Sequence, residues 1–172
     1  GFDELDAKQK EQLYYLYEAA RAGRDIIYDQ KFKYNLVLKR TIEAVVRSSK
    51  EDKKSPDFAK FMLYAKQFWF ARGIHHDYSS QKLTPEFSKE AFSKLVKTAD
   101  PKLLPLDAAP GSKTKRTVDG LIAFLEPIVF DPKVAAVRVN RGKDIDVVVG
   151  SANNFYEGVT QKEVEAFYKK KK

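Results

Sequence analysis

SPDFAKFMLYAKQFWFARG, Ser55 to Gly73, sets the architecture of this chain. A serine followed by proline opens a helix: the hydroxyl accepts from a free first-turn amide, and proline sits where its missing N–H leaves nothing unpaired. Behind them Phe58, Phe61, Met62, Ala65, Phe68 and Trp69 recur at spacings of three and four, so they share one helical face. Keeping that stripe in water would cost about 25 cal/mol per Å² of apolar surface. A core must receive it, and Trp69 is expected to be buried there. Gly73 is the expected left-handed residue that ends the helix.

Upstream, Leu13, Leu16, Tyr17 and Ala20 repeat the helical spacing, with Asp6 and Gln9 placed as a capping box and Gly23 as a stop. A second helix carries Leu38, Ile42 and Val45. Downstream, Phe92, Leu95, Val96 and Ala99 mark one helix, and Val118, Leu121, Ile122 and Leu125 another. Between them DPKLLPLDAAPGSKTKR, rich in proline, reads as a surface loop. After Pro132 the period changes from 3.6 to 2. Val137 and Val139 alternate with polar residues, as do Ile145 and Val147, and NRGK between them reads as a turn. This predicts a β-hairpin over 133–150, which needs a partner surface because an isolated hairpin is marginal in water. Thr160 and Glu163 then form a capping box for a C-terminal helix over 160–170. The expected fold is α+β: a mostly α-helical bundle over 1–130 with one small antiparallel hairpin, in a single or partial domain spanning 1–172.

Composition narrows the function classes. The chain has 172 residues, 43% hydrophobic and 13% aromatic, enough for a real core. It has no cysteine, hence no disulfide, thiolate metal site or cysteine nucleophile. Its apolar runs are short of the roughly 20 residues that span a membrane, so a soluble chain with no membrane partner is expected, cytoplasmic or periplasmic. Of the net charge of +8, four charges are the terminal run Lys169–Lys172, leaving +4; the other cations are interleaved with acids, which argues against nucleic acid as a partner. No phosphate-binding glycine loop, G-x-S-x-G elbow or H-E-x-x-H helix is present. Asp144 and Asp146 sit beside a turn, where a solvated hairpin surface is the simpler account than an acid/base pair.

The only two histidines, His75 and His76, are adjacent and precede Asp77 and Tyr78. Neighbouring side chains diverge, whereas two ligands on one metal need spacings of two, three or four residues. No metal is expected. Three roles remain open: capping helix carbonyls, bonding loop backbone, or presenting polar and aromatic groups to a ligand.

Four blocks resemble a known family in order along the chain: YYLYEAARAGRDIIYDQKFKYNLVLKRTIEAV, FWFARGIHHDYSSQKLTPEF, IVFDP and GSANNFYEGVTQKEVEAFY. They resemble the N-terminal region of bacterial dipeptidyl peptidase III, a family of zinc aminopeptidases that cleave dipeptides from peptide N-termini. The second block is similar to that family's W-F-S-N-G-I-H-H-H-Y-S-x-x-K-F-x-P-x-F. Arg72 departs from the pattern's Asn, Asp77 from its third His and Leu83 from its Phe. The resemblance implies the first part of a mixed, non-zinc lobe whose hairpin joins a β-barrel in the full-length protein. It implies an oligopeptide substrate and a separate catalytic lobe as partners. Zinc, held by a His-Glu-x-x-Gly-His motif, belongs to that other lobe; this chain carries no cofactor and is expected to be inactive alone. The position of Tyr78 is aromatic in the family and is associated with the pocket for the substrate's N-terminal residue. Tyr78, Asp77 and His76 are therefore the candidate substrate-binding residues, with Asp77 placed to attract a peptide ammonium. The alternative is a divergent, non-catalytic peptide-binding or protein-binding scaffold domain.

Overall fold

The computed structural model describes residues 1–107 and 114–171. The middle of the proline-rich loop, 108–113, and the last lysine of the terminal run lie outside the described residues. Among the described residues a 3-10 turn, Phe2–Glu4, is followed by seven α-helices. These are α1 Ala7–Ala22, α2 Arg24–Lys31, α3 Asn35–Ser48, α4 Pro56–Ala71, α5 Lys89–Lys97, α6 Val118–Phe130 and α7 Gln161–Lys170.

The start signals act as their chemistry dictates. Asp6 and Gln9 close a capping box on α1, and Thr160 and Glu163 close one on α7. Ser55 Oγ accepts from the Phe58 amide with Pro56 in the first turn of α4. Phe61, Ala65 and Phe68 of α4 are fully buried, packed with Leu38, Ile42 and Val45 of α3 and with apolar residues of α5 and α6. Phe87, in the loop before α5, is the hub: its ring lies 5.5 Å from Phe61, 5.6 Å from Tyr64, 6.2 Å from Phe92 and 5.6 Å from Phe130. Such aromatic pairs each contribute about 0.5–1.5 kcal/mol beyond area burial. Trp69 sits at the edge of this core, half-buried, its Nε1 shielded from water and without a hydrogen-bond partner.

Helix α1 forms with its expected cap and stop, but Leu13, Leu16 and Tyr17 are all exposed, and α1 contains no buried residue. The predicted β-hairpin is absent, and no strand occurs among the described residues. Ala135 (φ 50°) and Asp144 (φ 60°) are left-handed, which interrupts the extended path on both sides of the supposed turn. The Asp146 carboxylate accepts from the amides of Val148 (2.9 Å) and Val149 (3.0 Å) and caps α7 at Gln161 (2.9 Å), while the Gly150 amide closes on the Asp146 carbonyl at 2.8 Å. A short acidic side chain bonding nearby amides thus outcompetes the ladder that alternation suggested. Val137 and its neighbours do pair, but with other partners. The Lys82 amide donates to Ala136 O (3.2 Å) and the Arg138 amide to Ser80 O (2.9 Å). On the other side Ala152 donates to Val137 O (3.0 Å) and Asn153 to Arg138 O (3.2 Å). The first two contacts amount to one isolated bridge, Gln81–Val137. The protein is mostly α, and among the described residues no helix is long and apolar enough to cross a membrane.

Candidate functional site

The loop after α4 is fixed from its first residue. Arg72, not Gly73, takes the left-handed conformation (φ 54°, ψ 47°), and the Gly73 amide reaches back to Phe68 O at 3.0 Å. Gly73 has φ 147°, and a Cβ there would lie 2.3 Å from Asn35 Nδ2. That contact explains the glycine. Buried Asn35 at the head of α3 receives the Ile74 amide on Oδ1 (3.2 Å) and donates from Nδ2 to Tyr28 O (2.9 Å), joining α2, α3 and the loop. The loop then doubles back: His76 N donates to Gln81 O (2.8 Å), Ser80 N to His76 O (3.1 Å) and Leu83 N to Ile74 O (2.8 Å).

Within this frame the two histidines part company. His75 is 1% exposed, and its Nε2 donates to Ala135 O at 2.7 Å, which assigns the Nε2–H tautomer because a carbonyl only accepts. Its Nδ1 is buried without a partner. Burial pulls the imidazole pKa down to about 4, opposed by the Ala135 bond and reinforced by Arg138, Lys82 and Lys31. His76 is exposed and turns Nδ1 onto its own loop, accepting from the amides of Tyr78 (3.3 Å) and Ser79 (3.2 Å). Neither ring faces the other's partners, and no group of three or more potential metal ligands occurs among the described residues.

Asp77 is half-buried and paired. Lys31 Nζ donates to its carboxylate and also to Ala71 O at 2.7 Å, while Arg138 Nη1 lies 3.6 Å from the carboxylate and Nη2 donates to the Asp77 carbonyl at 2.8 Å. The Lys31 hydrogen bond holds its pKa below the usual carboxylate value, with Lys31 and Arg138 charge adding to the effect against desolvation. Tyr78 is 89% exposed, its ring 6.1 Å from that of His76. His76 and Tyr78 therefore share an open surface, whereas Asp77 faces two cations. Lys31, Arg138 and Ala135 were missed from sequence. They meet the loop across separations of 40 to 61 residues, and no local pattern marks such partners.

The segment that receives His75 and Lys82 also walls a separate cavity of about 690 Å³, between the α2–α3 junction, the end of α6 and residues 148–160. Phe32, Ile128, Val134 and Val149 give it apolar walls, and Lys33, Lys133, Tyr156 and Glu157 are among its polar lining. Its size is that of small-ligand sites, about 300–1,000 Å³. Neither His76, Asp77 nor Tyr78 lines it. Compared with known proteins, the chain matches no family model and no curated protein.

Proposed function

We propose that this chain is the substrate-binding lobe of a zinc-dependent dipeptidyl aminopeptidase resembling dipeptidyl peptidase III, with zinc and the catalytic residues in another lobe. The observation that carries the reading is Tyr78, almost wholly exposed on a loop otherwise tied down by His75, Asp77 and Gly73. An aromatic ring held out in water by a rigid loop is placed to pack on a peptide side chain, while its hydroxyl meets a polar group. His76 stands beside it as a second surface for the peptide. Asp77 works differently from the sequence expectation in this reading: with Lys31 and Arg138 its cluster carries a net positive charge, so it steadies the loop rather than drawing in a peptide ammonium.

The test is made on the reading frame that carries this chain. In a zinc-bearing product, Tyr78→Ala lowers kcat/KM on dipeptidyl substrates about tenfold with zinc content unchanged, since it removes a contact and not a ligand. Unchanged kinetics would contradict the role of Tyr78. The exposed Leu13, Leu16 and Tyr17 of α1 favour a second reading, a non-catalytic protein-binding domain. A frame without His-Glu-x-x-Gly-His would decide for that reading.

A further inference from the structure

The wall of the 690 Å³ cavity has an unusual hydrogen-bond balance. Along Val134–Val137 every carbonyl is taken: Val134 by Lys82 Nζ (2.9 Å), Ala135 by His75 Nε2 (2.7 Å), Ala136 by the Lys82 amide (3.2 Å) and Val137 by the Ala152 amide (3.0 Å). Only the Val134 amide has an acceptor, Asp131 O at 3.2 Å; the amides of Ala135, Ala136 and Val137 have none within the described residues. The cause lies in Ala135. Its left-handed φ of 50° accompanies the turning of its carbonyl onto buried His75, and the stretch is left rich in donors. Such successive amides around a left-handed residue form concavities that hold anionic oxygens. The residues of this wall are half-buried, and amides without acceptors there are matched to a ligand that accepts.

The remaining lining has the same sign. Lys33 and Lys133 are its cations and Glu157 its one carboxylate, already bonded to Lys33 at 3.0 Å. Tyr34, at the edge of the cavity, precedes α3, whose first amides have no side-chain cap. Phe32, Ile128, Val148 and Val149 supply an apolar body.

We infer that this cavity is a binding site for a carboxylate carried on an apolar body, the carboxylate accepting from the amides of Ala135–Val137 beside Lys133. A peptide C-terminus and a free monocarboxylic acid share that chemistry. The site is independent of the Tyr78 surface, which does not line it.

The experiment is an amide-resolved NMR titration of the intact chain with acetyl-Ala-Val-Phe, with the same peptide as its C-terminal amide, and with phenylacetate. The acetyl group removes the N-terminal ammonium, so binding here is separate from aminopeptidase substrate recognition. The free-acid peptide is expected to give saturable downfield shifts at Ala135, Ala136 and Val137, larger than those at Tyr78. The amidated peptide is expected to give none. Lys133→Glu, an exposed position that leaves the core untouched, raises the Kd about tenfold, the scale of one charge-assisted hydrogen bond. Saturation by the peptide acid alone assigns the ligand to peptide C-termini; saturation by phenylacetate alone or by both assigns it to carboxylic acids generally. The inference is overturned if the three amides do not shift with either acid, if their shifts never saturate, or if the amidated peptide binds as well as the acid.

Discussion

At the scale of the residue, His75 and Gly73 make the sharpest predictions. His75 is neutral in the fold with a pKa near 4 and titrates near 6.5 when unfolded. Below pH 6.5 the unfolded chain therefore binds a proton that the folded chain refuses, and stability falls until the folded pKa is reached. The loss between pH 7 and pH 4 is about 3 kcal/mol. Urea unfolding across that range should show it, and His75→Gln should flatten the slope over pH 6.5–4. Asp77 acts in a different window. Its folded pKa is lowered, so its contribution is present above the ordinary carboxylate value of 3.8 and disappears only as pH falls below it. At Gly73 a methyl group would combine an unfavourable φ with collision against buried Asn35, and Gly73→Ala should cost roughly 2–4 kcal/mol by denaturant unfolding. A cost under 1 kcal/mol would mean that Asn35 moves aside freely.

At the scale of the element, what was legible in sequence was whatever depends on neighbours within one turn. The Ser55–Pro56 start, both capping boxes and the buried stripe of α4 are local facts, and Ser55→Ala should lower stability by about 1 kcal/mol. Helix α1 has the helical period, yet the face that period marks is exposed. Period says that a face exists, not that this chain covers it, so Leu16→Ser or Tyr17→Ser should change unfolding free energy by less than about 0.5 kcal/mol. A loss of 2 kcal/mol would place α1 in the core. The 133–150 segment was misread because alternation of valines is compatible with any extended or half-buried path. Asp146 and two left-handed residues settled it as turns, and Asp and Ala do not announce positive φ as glycine does. Phe87 was passed over for the opposite reason: it lies in a loop, outside any period, yet four rings meet it.

At the scale of the whole molecule, the loop 74–82 is held by three distant parts of the chain: Asn35 at the head of α3, Lys31 at the end of α2, and the 135–138 segment. The sequence marked the loop through its paired histidines, but the brace is a tertiary product. That brace is why a 16-residue aromatic helix ends in a rigid platform and why Tyr78 projects from it. In the proposed function this platform receives a peptide through Tyr78. Calorimetric titration of the chain with a tetrapeptide bearing a free N-terminus and an amidated C-terminus isolates that surface from the carboxylate site. Saturable binding is expected, weakened by Tyr78→Ala about tenfold, or about 1.4 kcal/mol, while the unfolding midpoint stays within a degree or so of wild type because the exposed ring contributes little to the fold. Equal affinity for wild type and Tyr78→Ala, or no binding by either, would contradict it.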